Sequence, residues 1–580
     1  MKKRVLSVIL ALIMLLSGMS LAGASVTATD TTTSSYHWVA SWTTSPIKTG
    51  LIIAGVRLCD FLSNCCYRTV IQMTLGGTQV RLKFSNLYGD DPIVLDETNI
   101  ARTSVNNESD IIKGSIIPVT FDGKTKATIP AGGEIYCDPI DMDVSALEYL
   151  SITTYVSDRE SITTAGFYGG TSYMEYGNRL EQESFTSMSP LLFTSGAITY
   201  HIIPFLCAAE VMAPADNYSV VFFGDSTITN QSPYYLAERL QRSGVQNVGV
   251  AQQAIIANKV LNDGEGNSIY GNIYGIAAIK RFDTDVLEVA GVKKVFIKIG
   301  VNDVIHPRCK SMEGKVPYVT ADEIMEGYQL MIDKAHSKGI EVYFFSRTAW
   351  KGYNRSFGLT SNEPDAVWSQ EAEDILLDLN SRLKQLADDG GIEGYIDLDF
   401  LRDPEDSTKL KDEYTSDGAH LTELGARLLT DAIPYTCFGS TPLLSINDLY
   451  LSGRGGESVT TPFTPVTTSV EKSNTTTKSS STSGTTSASS GDTDSPGTTA
   501  SDTNNTSTTK PIETITATQG EVQTRIITVT LPTTEPLVAP EPEKTMDKGT
   551  VTGIVIVAVL LIGAVSFMTV YFVNKKKMTD

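Results

Sequence analysis

Val220-Val221-Phe222-Phe223-Gly224-Asp225-Ser226 decides how this chain is read. Four apolar residues end in a Gly-containing turn, and the stretch Ser232 to Arg242 that follows has helical spacing. A strand, a tight turn and a helix present the turn residue at the carboxyl edge of a sheet, where α/β proteins build their sites. Ser226 then has an exposed hydroxyl and a backbone N–H beside it. Taken alone, Gly-Asp-Ser is also ordinary turn chemistry. Its meaning depends on what else the chain carries.

Two later segments supply that. Val295-Phe296-Ile297-Lys298-Ile299-Gly300-Val301-Asn302-Asp303 is a second β-prone run, ending in Gly-x-Asn-Asp. Its plain reading is a strand and a turn; its functional reading gives Asn302 a side-chain N–H to offer a developing oxyanion. Asp417-Gly418-Ala419-His420 precedes a helical pattern from Leu421 to Ile433. A carboxylate three residues before a histidine can reach Nδ1 of that ring and fix its tautomer, leaving Nε2 to take a proton from a serine. Of the five histidines, His37, His201, His306, His336 and His420, it is His420 whose carboxylate, Asp417, shares one loop with it just ahead of a helical pattern; Asp303 and Asp333 stand at the same spacing before His306 and His336. His336 falls among charged helix residues, His37 and His201 lie before the α/β segment, and His306 follows the Gly-x-Asn-Asp block closely enough to be a pocket candidate.

In the order Ser, Asn, Asp, His, these segments resemble the SGNH (GDSL-type) hydrolase superfamily. Arg281-Phe282-Asp283-Thr284-Asp285-Val286-Leu287 and Leu401-Arg402-Asp403-Pro404 are similar to a secreted branch of acylhydrolases and arylesterases, some associated with xylan degradation. The resemblance covers about residues 36–436. It implies Ser226 as nucleophile, His420 as general base and then acid, Asp417 as its orienting partner, and an oxyanion hole from the Ser226 N–H, Asn302 and Ala257. Ala257 is the point of departure. The family carries glycine there, in a block that reads here Gln252-Gln253-Ala254-Ile255-Ile256-Ala257-Asn258. An alanine N–H serves as well if φ is negative, and the residue is strained if φ must be positive.

The fold implied is α/β: a flavodoxin-like three-layer α/β/α hydrolase domain with a parallel sheet, preceded by an all-β sandwich-like domain. The pattern agrees. Residues 36–205 hold many short β-prone runs separated by turns. Val70–Leu75 and Val80–Phe84, joined by Gly76-Gly77-Thr78-Gln79, predict a hairpin. Residues 216–438 alternate strand and helix. Strands are expected at Ser219–Phe223, Val245–Ala251, Lys294–Ile299, Ile340–Phe345 and Tyr395–Leu398, and helices at Ser232–Arg242, Thr320–Lys338 and Glu363–Asp388. The β domain fits a carbohydrate-binding module or a structural cover for one side of the active site. Trp38 and Trp42 are its candidates for sugar stacking, with core packing the favoured reading.

The expected activity is that of an extracellular serine esterase acting on O-acyl groups, O-acetyl first, of polysaccharides such as xylan. A lipase or arylesterase on small acyl esters is the alternative within the class. A non-catalytic glycan-binding surface protein with a relic hydrolase fold is the alternative outside it. No cofactor is expected. No histidine pair has zinc-ligand spacing and no Cys-x-x-Cys occurs, so no metal is expected either. The net charge of −21, with no basic stripe, disfavours nucleic acid as a partner.

The ends of the chain address localisation. Lys2-Lys3-Arg4, the apolar run Val5 to Leu16 and Ala22-Gly23-Ala24 read as a signal peptide over 1–24. Residues 452–550 form a Ser/Thr-rich stalk whose composition cannot repay ordering entropy. A coil of roughly 100 residues spans about 50–60 Å. Val551 to Val573 is long and apolar enough to span a bilayer. The basic tail 574–580 belongs on the cytoplasmic side, which places the body at the cell surface. The seven cysteines are too few for a disulfide scaffold. One or two bridges are compatible with them, such as Cys59 with Cys65 or Cys66.

Overall fold

The computed structural model describes residues 35–456 apart from 50, 54–55, 59–60, 105–107, 187–191, 196–197, 230, 265–270 and 355–364. The segments expected to be a signal peptide (1–24), a stalk (452–550, nearly all of it), a membrane span (551–573) and a tail (574–580) lie outside the described residues. Among the described residues no helix is long and apolar enough to cross a membrane.

The β region is built from two five-stranded antiparallel sheets, with smaller two- and three-stranded ones beside them. Strand Gly77–Ser85 runs through the first sheet and Cys65–Gln72 through the second. Their inner faces share one core, in which Val80, Leu82 and Phe84 meet Ile71, Ile100 and Ile152. The hairpin expected at Gly76–Gln79 is therefore not formed, because its two strands belong to different sheets. The glycines answer close packing instead. A Cβ on Gly76 would stand 2.6 Å from the Val144 carbonyl oxygen, and one on Gly77 2.7 Å from that of Met212. The first sheet also takes strand Leu206–Pro214, paired between Tyr36–Thr43 and Gly77–Ser85, so the β region runs past residue 205 to Pro214.

The α/β domain has five parallel strands, β1 (Tyr218–Gly224), β2 (Val248–Ala254), β3 (Val292–Lys298), β4 (Glu341–Phe345) and β5 (Gly394–Ile396), in the order β2-β1-β3-β4-β5. That is the flavodoxin-like order, which reverses direction between β1 and β3 and opens a crevice at their carboxyl ends. Four helices dominate its flanks: α1 (Ser232–Arg242), α2 (Ala321–Ser337), α3 (Gln370–Asp388) and α4 (Glu423–Asp431). Thr320 and Glu323 form a reciprocal capping box at the start of α2, and Gly339 follows its end at φ +69. α3 begins at Gln370, capped by Ser369, seven residues later than the expected start at Glu363.

Side-chain alternation on β1 assigns its two faces. Val221 and Phe223 join the core shared with the β region, while Val220 and Phe222 pack with Phe296, Phe345 and Leu240 on the other side. Beyond residue 438, a short helix Ile446–Leu451 packs on α1, with the rings of Tyr235 and Tyr450 5.3 Å apart.

The β region is fastened to β2, the edge strand of the parallel sheet, and to its neighbour β1. Thr43 Oγ1 donates to the Gln252 carbonyl at 3.0 Å. The Val250 N–H donates to Thr74 Oγ1 at 2.9 Å. Ser219 Oγ donates to the Ala40 carbonyl at 3.0 Å. An edge that would otherwise stand open is thereby covered.

Cys65, Cys66, Cys137, Cys207, Cys309 and Cys437 are buried free thiols. Cys59 lies outside the described residues, and neither Cys65 nor Cys66 is bridged. Both sit in a central strand, and Cys66 Sγ accepts from the Arg179 N–H at 3.0 Å, so they serve packing there.

Candidate active site

The Gly224-Asp225-Ser226 turn follows directly from β1. A Cβ on Gly224 would stand 2.1 Å from the Lys298 carbonyl oxygen, so only glycine lets β1 and β3 approach at this level. Asp225 then caps the 3-10 turn Ser226–Ile228: its Oδ1 accepts from the Thr227 N–H at 2.8 Å and from Thr227 Oγ1 at 2.7 Å. Asp225 is wholly buried and works on the turn, not on a substrate.

Ser226 Oγ lies 2.8 Å from His420 Nε2, and His420 Nδ1 lies 2.8 Å from Asp417 Oδ2. With Nδ1–H donating to the carboxylate, Nε2 is the acceptor and the serine hydroxyl donates to it. Asp417 Oδ1 also accepts from the N–H groups of Ala419, at 3.1 Å, and His420, at 2.8 Å. Burial alone pushes the Asp417 carboxyl up, but these hydrogen bonds and the His420 ring outweigh it and hold the group below its usual range. The carboxylate stays charged and the imidazole stays oriented. The loop is pinned from outside by Asn354, whose N–H donates to the Asp417 carbonyl at 3.0 Å, and by the Tyr353 ring, 5.9 Å from that of His420. α4 starts immediately after, with Thr422 as its cap.

Three groups are expected on the oxyanion side. Among the described residues, no group accepts from the N–H of Ser226 or of Ala257. Ala257 is buried and adopts φ +55, in the left-handed region. The strained branch of the sequence reading is the one realised. Asn302 is brought beside them, with Nδ2 3.1 Å from Asp225 Oδ2 and 3.1 Å from the Asn258 carbonyl oxygen. Both its amide hydrogens already have acceptors, so Asn302 can serve an oxyanion only by sharing one of them.

Beneath the turn lies a buried polar layer that sequence reading did not assign. Arg281 donates from Nη2 to the Gly224 carbonyl at 2.8 Å, from Nη1 to Asp285 at 2.7 Å and the Gln253 carbonyl at 3.1 Å, and from Nε to Asn258 Oδ1 at 3.0 Å. Lys298 Nζ donates to Thr227 Oγ1 at 2.8 Å. Burial pushes this amine down to about 7, against the opposing pull of Asp225. Asp303 accepts from the N–H groups of Val260, at 2.8 Å, and Leu261, at 3.2 Å, tying the third block to the second. The one sequence signal for this layer was the i, i+4 spacing of Arg281 and Asp285.

A cavity of about 570 Å³ opens beside His420. The α/β domain lines it with Thr229, Gln231, Gln252, Ser416 and Glu423; the β region lines it with Tyr149, Phe167, Tyr168, Thr171 and His201. The β region thus forms one wall of the site. Trp42 is buried, its Nε1 donating to the Gly169 carbonyl at 2.5 Å, and the Arg81 guanidinium lies 4.5 Å over Trp38. His306 is fully buried against Tyr274, away from this cavity, and His336 pairs with Glu393 on the surface.

Residues 220–433 match the family model GDSL-like Lipase/Acylhydrolase. No curated protein matches the chain. Among solved structures, it is similar to a GDSL-like lipase from Bacteroides thetaiotaomicron, at 19% identity over 38% of this chain and 87% of that one, with a TM-score of 0.27. It is similar to an acetyl xylan esterase at 23% identity over 37% and 96%, with a TM-score of 0.27. It is also similar to an acetylxylan esterase from Geobacillus stearothermophilus at 15% identity over 38% and 94%, with a TM-score of 0.29.

Proposed function

We propose, with residues 220–433 a GDSL-like lipase/acylhydrolase domain and the protein a carboxylic ester hydrolase, that its substrates are O-acyl esters, O-acetyl first, on polysaccharides such as xylan. The observation that carries this reading is the lining of the cavity beside His420. Gln72, Gln231, Gln252, His201, Thr171 and Glu423 outnumber its aliphatic residues, and Tyr149, Tyr168 and Tyr234 add aromatic surface with polar tips. A polyhydroxylated sugar can hydrogen-bond to such a polar lining, and a long acyl chain cannot. That weighs against the lipase alternative.

The residues take these roles. Ser226 Oγ attacks the ester carbonyl carbon while His420 Nε2 takes its proton. The N–H groups of Ser226 and Ala257, with Asn302, hold the negative oxygen that forms. Collapse expels the sugar alkoxide, which leaves as the alcohol with the proton returned by His420, and an acyl-serine remains. Water, deprotonated by His420, then attacks that ester, releasing the carboxylic acid and restoring Ser226. Asp417 stays ionised throughout and stabilises the imidazolium.

The protein is read as secreted through 1–24 and held at the cell surface by 551–573, with 452–550 as a stalk that lifts the enzyme toward its polymer. The support for this is the sequence pattern at the two ends. Covalent labelling by a fluorophosphonate tests the catalytic reading. Labelling that is lost in Ser226→Ala supports it; equal labelling of both proteins refutes it, and a relic binding fold would label in neither.

A further inference from the structure

Two neighbouring glutamines on β2 have opposite fates. Gln253 points to one face of the strand, where its Oε1 accepts from Ser45 Oγ at 2.8 Å. Gln252 points to the other. Gln252 is among the residues lining the cavity beside His420, is 3% exposed, and its buried Oε1 and Nε2 have no partner among the described residues. Buried side-chain amides are almost always paired, and one with both atoms unpaired beside a cavity can meet the donors and acceptors of a ligand there by turning its carboxamide toward it. Gln252 lies on β2, the strand that the β region covers, five residues before Ala257.

His201 lines the same cavity from the β region. Its Nδ1 accepts from the Ser172 N–H at 3.0 Å. That bond fixes the neutral ring with its proton on Nε2, which makes it a donor. Burial holds this imidazole below its ordinary value, which favours that neutral form. The cavity therefore has an amide able to donate and accept on one wall and an N–H donor on the other.

We infer that Gln252 and His201 form a hydroxyl-recognition subsite for the sugar unit that carries the ester. A vicinal diol matches the carboxamide: one hydroxyl accepts from Nε2 and its neighbour donates to Oε1. A third ligand oxygen accepts from His201 Nε2. Hydroxyls reproduce the bonds that water makes to such groups, which an acyl chain or an aryl leaving group cannot do. The subsite deepens the polysaccharide-ester reading and rests on it, and it gives the β region a part in choosing the substrate.

The test uses the full chain as wild type, Gln252→Met, His201→Phe and Ser226→Ala. Calorimetry measures binding of unacylated xylo-, manno- and cello-oligosaccharides of about four units. Kinetics gives the ratio of kcat/KM on an acetylated oligosaccharide to that on p-nitrophenyl acetate. At least one oligosaccharide should bind the wild type. Each of the two subsite variants should weaken it, and lower the kinetic ratio, by about tenfold or more. Thermal melting confirms folding, and each variant stands as an independent test if the other fails to fold. The inference is overturned if none of the three sugars binds, or if both folded variants bind as tightly as wild type. Equal acetate release by wild type and Ser226→Ala would refute the hydrolase reading instead, and the calorimetric result would still decide the subsite.

Discussion

Arg281 donates through Nη2 to the carbonyl oxygen of Gly224 at 2.8 Å, so a buried guanidinium holds the last residue of β1 from below, just ahead of Asp225 and Ser226. The same group reaches Gln253, Asn258 and Asp285, and its Nη1 lies 3.3 Å from Ser45 Oγ in the β region. One side chain thereby ties β1, the Ala257 loop and the β region together. Removing it leaves Asp285 as a buried, unpaired charge. Arg281→Met should cost about 3–5 kcal/mol in urea unfolding, and Asp285→Leu should restore part of that loss in the double variant. A cost under about 1 kcal/mol would mean that Arg281 does not hold this layer.

Ala257 sits at φ +55, where a side chain crowds the backbone and glycine does not. Ala257→Gly should raise stability by about 1 kcal/mol, with no loss of activity, since the N–H is retained. A fall in the unfolding midpoint would show that the alanine methyl contributes packing that exceeds its strain.

Asp417 orients His420 through the bond between Nδ1 and Oδ2, 2.8 Å long. In Asp417→Asn the amide can donate to Nδ1, which would place the ring proton on Nε2 and remove the base from Ser226. The expected fall in kcat is about 10⁴-fold. A fall of less than about tenfold would mean that the ring does not depend on this partner.

Lys298 gives a pH signature. Its amine is pushed down to about 7 by burial, from 10.5 in the free side chain. Between these values the unfolded chain holds a proton that the folded one does not, so stability from this group rises with pH through that window. The difference in unfolding free energy between wild type and Lys298→Met should grow by up to about 1.4 kcal/mol per pH unit from pH 7 to 9. A difference that is flat or falls with pH would contradict the assignment.

Much of the α/β domain was legible because its signals are local. α1 spans Ser232–Arg242 as its spacing predicts, and the capping residue of α2 stands where its pattern begins. β1 and β3 read directly from apolar runs that end in glycine turns. The β region was less legible. Alternation reveals that a strand is half-buried but not which sheet it joins, and so Gly76–Gln79 reads as a hairpin when it bridges two sheets. The helix expected from Glu363 starts at Gln370, where Ser369 supplies the cap; periodicity alone does not mark that stop.

At the site, the local Asp-x-x-His spacing could be read, but long-range burial could not. Nothing in the sequence says that Arg281 and Lys298 are buried under the turn, that Ala257 takes a positive φ, or that His201 shares a cavity with His420. Each depends on how the β region packs over β2.

In the proposed mechanism Ser226, activated by His420 and Asp417, cleaves O-acyl esters. The most direct measurement is acetate release from p-nitrophenyl acetate and from acetylated xylan at neutral pH, by the full chain and its Ser226→Ala variant. Release by the wild type on both substrates is expected, with a loss of about 10⁴-fold or more in the variant. Equal, background-level release by both proteins would contradict it.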